Sequence, residues 1–179
     1  MTPGRGLHRA RAIALLLGVL SFANACDSPT SPRRPTTTFL SFISETGDWI
    51  GQGESHRYGS SDGEWRAYID TYNTLIQHIS VTFTGDSVTW YLDVAAPAGQ
   101  QLGPGSYPSA QRFPFEHPAK PGLSFSGSGR GCNTVAGSFE VLNLELGQNG
   151  TVDRFHVTFE QHCEGQGPAL KGELAVVAK

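Results

Sequence analysis

Ile79-Ser-Val-Thr-Phe-Thr-Gly85-Asp86-Ser-Val88-Thr-Trp-Tyr-Leu-Asp-Val94 is the stretch that decides the fold class. Ile79, Val81 and Phe83 alternate with Ser80, Thr82 and Thr84, and Val88, Trp90, Leu92 and Val94 alternate with Thr89, Tyr91 and Asp93. Successive side chains of a strand point to opposite faces, so each half reads as a strand buried on one side. Gly85-Asp86 between them suits a tight hairpin turn with glycine at the position needing positive φ.

The same pattern recurs outward from this hairpin. Residues 138–146 and 152–163 form a second pair joined through Gln148-Asn149-Gly150, and Asn-Gly is a strong hairpin signal. Phe155, Val157 and Phe159 share one face. Phe139 and Val141 share parity while Leu142, Leu144 and Leu146 take the other, which predicts a bulge or burial on both faces. Residues 169–177 supply a closing strand through Leu170, Leu174 and Val176, and residues 39–43 an opening one. Within 51–77, Trp65, Tyr68, Tyr72 and Ile76 approach helical spacing, yet the neighbouring Thr, Tyr and Ile residues favour strand, which is the reading adopted. Residues 97–121, rich in Pro and Gly, read as a long ordered loop with little regular structure. Seven to nine short strands, with 22 glycines and 11 prolines against one methionine, predict an all-β domain over residues 39–179. The expected architecture is a single two-sheet antiparallel sandwich or jelly roll with one disulfide.

The N-terminus carries a different signal. Arg5, His8, Arg9 and Arg11 precede an apolar run over residues 12–22, which ends at Ala23-Asn24-Ala25-Cys26. Basic, apolar and small-residue segments in that order make residues 1–25 a signal peptide, too short in its apolar part to span a bilayer comfortably. Ala23-x-Ala25 fits ordinary signal peptidase, and Ala25-Cys26 fits the end of a bacterial lipobox, although Ala23 and Asn24 depart from its commonest form. Cysteine arithmetic favours the lipobox. Cys132 and Cys163 pair with each other, and lipidation of Cys26 removes the odd thiol. A metal-thiolate site is the alternative for Cys132 and Cys163, but no Cys-x-x-Cys pair supports it. Closing a loop of that size contributes about 3 kcal/mol in the entropic treatment.

Residues 26–38 follow as the lipidated cysteine and a Ser/Thr/Pro-rich tether, in which Arg33 and Arg34 read as solvated. The formal net charge is −3, but three of the thirteen basic residues lie in the signal peptide, so ten basic face sixteen acidic residues after cleavage. That acidic balance argues against nucleic acid and against a polybasic grip on lipid. The expected address is the cell envelope, on the periplasmic or extracellular side, with the membrane reached through the lipid.

Four blocks carry a resemblance: Ser44-Glu-Thr-Gly-Asp-Trp-Ile-Gly-Gln-Gly53, Pro104-Gly-Ser-Tyr-Pro-Ser-Ala-Gln-Arg-Phe-Pro-Phe115, Pro121-Gly-Leu123 running on to Gly129-Arg-Gly-Cys-Asn133, and Phe159-Glu-Gln-His-Cys-Glu-Gly165 with Pro168-Ala-Leu170. They resemble a recurring domain of bacterial envelope and secreted proteins. The resemblance covers nearly everything after Thr38. It implies an extracellular module with a paired-cysteine core and lends no catalytic residues.

Candidate chemistry is sparse. Gly127-Ser-Gly129-Arg130-Gly131 lacks the Lys-Ser/Thr of a phosphate loop and reads as a turn, with Arg130 expected to pair with Glu160 or Glu164. Glu45 and Asp48 offer oxygen to calcium, without EF-hand spacing. His56, His78, His117, His156 and His162 show no metal-ligand spacing. His162 with Glu160 lacks a serine elbow, and paired carboxylates of a glycosidase have no visible separation in a sequence. Trp49, Tyr58, Trp65, Tyr107 and Phe115 form either an aromatic platform or core. The candidates for ligand contact are Glu45, Asp48, Trp49, Tyr107, Arg112 and Arg130; no catalytic set and no resident metal is assigned.

These observations predict a non-enzymatic envelope lipoprotein whose β domain binds an extracellular glycan or envelope protein, or serves structurally. The alternative is a calcium-assisted carbohydrate-binding module. A concave pocket holding two or more of Glu45, Asp48, Arg112, Arg130, Glu160 and His162 would instead point to an enzyme.

Overall fold

In the computed structural model, Met1 and residues 34–70, 77–165 and 167–178 are described; residues 2–25 of the expected signal peptide, Cys26, Arg33, Tyr72 and Ile76 lie outside them. Ten strands follow one another: β1 (Phe39–Ser44), β2 (Ser55–Gly59), β3 (Glu64–Asp70), β4 (His78–Thr84), β5 (Thr89–Ala95), β6 (Gly105–Arg112), β7 (Gly122–Gly127), β8 (Val135–Leu146), β9 (Val152–Cys163) and β10 (Ala169–Val177). Among the described residues no helix is long and apolar enough to cross a membrane.

The strands form one sheet in the order β2-β1-β10-β9-β8-β6-β7-β5-β4-β3. Neighbours are antiparallel except β6 and β7, which run parallel and meet only at Gln111 with Gly122 and Arg112 with Leu123. The sheet curls so that its halves face each other. Phe42 of β1 packs edge-on against Trp90 of β5 and Phe125 of β7, with centroids 4.8 and 5.1 Å apart. The expected all-β fold is present, and its two facing layers are halves of one continuous sheet.

The period-two rows become the core. Ile79, Val81, Phe83, Leu92 and Val94 are buried, as are Phe155, Val157 and Phe159 from the second hairpin. Full burial of such a side chain stabilises by about 1.5–3 kcal/mol. The parity break in β8 is a bulge: Val141 faces Val157 but Asn143 faces His156, leaving Leu142 as the extra residue. Gly150 supplies the positive φ, 75°, of the turn that follows.

Three expectations need correction. Residues 97–121 contain a strand, β6, hidden by Pro108 and by a bulge where Ser109 adopts φ 57°. Gly85 has no positive φ; its N–H donates to the carbonyl of Val88, and a Cβ there would come within 3.2 Å of the Phe83 ring. Arg34 is not solvated alone: it pairs with Glu145, while Arg154 donates to the carbonyl of Pro35. Arg34 and Pro35 are thereby held beside the β8–β9 turn.

Candidate functional site

The disulfide between Cys132 and Cys163 holds the loop before β8 against the end of β9, where Val135 faces Cys163. The flanking residues complete the clamp. Glu164 Oε1 accepts from the backbone N–H of Asn133 at 3.0 Å and from Asn133 Nδ2 at 3.3 Å, and Thr134 Oγ1 donates to Glu164 Oε2. Arg112, the last residue of β6, donates from one terminal nitrogen to the Asn133 carbonyl at 3.0 Å. Its guanidinium lies 4.8 Å above the ring of Phe115. A turn sets that spacing, since the Phe115 N–H donates to the Arg112 carbonyl and the His117 N–H to Gln111 Oε1.

Gln111, Arg112, Phe115, Asn133, Thr134 and Val135 line a pocket of ≈ 240 Å³ here. Phe115 remains 71% exposed. Among the described residues Arg112 forms no ion pair, whereas Arg34, Arg66 and Arg154 each meet a carboxylate.

The other candidates do not converge on this pocket. Asp48 is buried, and its Oδ2 accepts from Ser44 Oγ at 2.8 Å and the Gly51 N–H at 2.7 Å. Glu45 Oε2 accepts from the Ala169 N–H. Both carboxylates therefore stitch the turn after β1 to its surroundings. Trp49 is exposed. Tyr107 stacks on Phe139 at 4.5 Å, and its hydroxyl bonds both backbone groups of Gly103. Arg130, expected to meet Glu160 or Glu164, donates instead to the Ile50 carbonyl at 2.9 Å. Tyr58 and Trp65 lean on Phe83 inside the curl.

A groove of ≈ 340 Å³ over β8–β10 is lined by Ser138, Glu140, Thr158, Glu160 and Lys171 among others. His162 Nε2 lies 3.0 Å from Glu160 Oε1 and Lys171 Nζ 3.3 Å from Glu160 Oε2. The bond to His162 lowers the Glu160 carboxyl, while the Gly167 carbonyl and then Glu160 raise the His162 imidazole. Of the six polar residues proposed to mark an enzyme, this groove holds Glu160 alone and the Phe115 pocket holds Arg112 alone.

Under the loop after β6, neither Glu116 side-chain oxygen accepts a hydrogen bond from another of the described residues, and burial pushes that carboxyl upward. Burial also raises Asp93, against a bond from Ser80 and the charge of His78. Sequence reasoning singled out Arg112 and Phe115 but missed the clamp of Asn133 by Glu164. The adjacency of each to a paired cysteine was its only signal. Comparison of the chain with protein-family models, with curated proteins and with solved structures finds no match in any of the three.

Proposed function

We propose that this chain is a non-enzymatic protein of the bacterial cell envelope, anchored by lipid on Cys26, whose β domain binds an extracellular ligand or partner. One observation supports the reading: Arg34 and the Phe115 pocket occupy opposite ends of the β8–β9 hairpin. Arg34 meets Glu145 near the hairpin turn, and Asn133 precedes the start of β8. At about 3.3 Å per residue, the length of β8 separates them by roughly 35 Å. A pocket at the opposite end of the hairpin from residue 34 is not crowded by the segment that precedes residue 34 in sequence, which supports its use for an extracellular ligand. The disulfide clamp fits a compartment in which such bonds persist.

Metabolic labelling with palmitate, compared with Cys26→Ser, tests the anchor: label in the envelope fraction of the parent chain alone is expected. Cross-linked recovery from whole cells tests binding, with an envelope component retained by the parent and lost from Phe115→Ala. Cytoplasmic recovery, or turnover of a substrate abolished by one polar substitution, overturns the reading.

A further inference from the structure

We infer that the Arg112–Phe115 pocket is a binding site for a saccharide bearing a carboxylate, a single uronic acid unit at the end of or within a glycan. The inference rests on the binding-domain reading above and names its ligand.

Three features of the pocket set the chemistry. The first is charge. Arg112 spends one nitrogen on the Asn133 carbonyl and meets no carboxylate among the described residues, so donors remain for an incoming anion. Guanidinium and carboxylate match in a planar, two-bond geometry. The second is the ring. Phe115 is 71% exposed, with the Arg112 guanidinium over one face of its ring. A flat apolar surface next to a guanidinium suits a molecule with a C–H face and an acidic edge, which a pyranose uronate has and an acidic peptide side chain lacks. The third is size and rim. At ≈ 240 Å³ the pocket lies below the range that holds drug-sized ligands, which restricts it to one ring. Thr134, Asn133 and Gln111 border it; with the Thr134 hydroxyl proton and Asn133 Nδ2 given to Glu164 and Gln111 Oε1 taken by His117, the Thr134 oxygen, Asn133 Oδ1 and Gln111 Nε2 are the groups suited to sugar hydroxyls.

The site is also held in place before any ligand arrives. Asn133 is fixed from both sides, by Glu164 and by the disulfide at Cys132, and Phe115 is set by the turn from Arg112. A pre-ordered site loses less entropy on binding.

The test is titration of the full chain with galacturonate and glucuronate, followed by calorimetry and by chemical shifts, with methyl galacturonate ester, glucose and N-acetylglutamate as controls. Saturable binding of a uronate is expected, at least tenfold tighter than its methyl ester, glucose or N-acetylglutamate, and weakened by added salt. Arg112→Gln and Phe115→Ala should each weaken it at least tenfold. Phe115→Ala, at an exposed ring, guards against a folding defect in Arg112→Gln, and urea unfolding of both variants checks it. Equal binding of the ester or of N-acetylglutamate overturns the proposal, as does uronate binding untouched by both variants. A neutral glycan or envelope protein held independently of Arg112 and Phe115 overturns this site while leaving the binding-domain reading intact. Binding of no sugar and no envelope component overturns both.

Discussion

Gln161 of β9 bonds both backbone groups of Phe125 on the facing half of the sheet: the Phe125 N–H donates to Oε1 at 2.7 Å and Nε2 donates to the Phe125 carbonyl at 2.8 Å. β6 ends beside Leu123, so at Phe125, whose other side pairs with Leu92 of β5, no described strand lies on the β6 side of β7. A side-chain amide, buried to 1% exposure, takes the place of one. It joins the two halves across the core and satisfies groups that would otherwise be stranded without water.

Replacing that amide should therefore cost more than its size. Gln161→Ala leaves a buried N–H and C=O unpaired, and the expected loss is about 3 kcal/mol, read as a lower urea midpoint at unchanged slope. Gln161→Glu should be destabilised at neutral pH and recover as the solution is acidified, because only the protonated carboxyl can both donate and accept. An unchanged midpoint in Gln161→Ala would show that the bond contributes nothing.

The disulfide should contribute about 3–4 kcal/mol, since it closes a loop with a sequence separation of 31. Cys132→Ala with Cys163→Ala is expected to lower the midpoint accordingly. The same variant should loosen Asn133, visible as faster amide exchange there than in the parent protein.

Glu116 gives stability a definite pH dependence. Its carboxyl is raised in the folded protein by burial, so the protonated form fits best. The sign follows: the folded state binds more protons, and stability falls as pH rises from about 4.5 through the raised value. Glu116→Gln should flatten this slope and stand above the parent in denaturant midpoint at pH 8. A steeper slope in the variant would refute the assignment.

Glu145 works in the opposite direction. The hydrogen bond from Arg34 comes first among the influences holding it down to about 2. Its contribution is present above about 4.5 and is lost as pH falls through about 2. Glu145→Gln should lower amide protection at Thr36, Thr37 and Thr38 at neutral pH, with parent and variant converging at the acid end.

Gly172 tests the packing of the second layer. A Cβ there would lie 2.2 Å from Phe159 Cζ, whose ring occupies the space left by the missing side chain. Gly172→Ala should cost about 1–3 kcal/mol through overpacking, and Phe159→Leu should relieve much of it in the double variant.

Much of this architecture is legible in residue order because it depends on local alternation. Ile79 to Val94 reads as a hairpin on parity alone, and the changed parity between Val141 and Leu142 marks the bulge. β6 is obscured because Pro108 and Ser109 break the alternation that Tyr107 and Ala110 would otherwise show; its pairing with β8 fixes it instead. Gln161 falls on the inward row after Phe159, a visible anomaly, but its partner is 36 residues away and only the curl brings them together. The pocket was half visible. Arg112 and Phe115 are three residues apart, whereas Asn133 arrives through the disulfide and the β6–β8 ladder.

The pairing of β1 with β10 has a consequence for the order of assembly. Phe39 opens the first strand and faces Ala175, 136 residues later in the chain. Until β10 has emerged from the ribosome, β2 is the one described strand alongside β1. Closing so distant a contact comes late in folding. A chain cut before Ala169 would leave the apolar side chains of Leu40 and Phe42 without the strand that pairs with theirs.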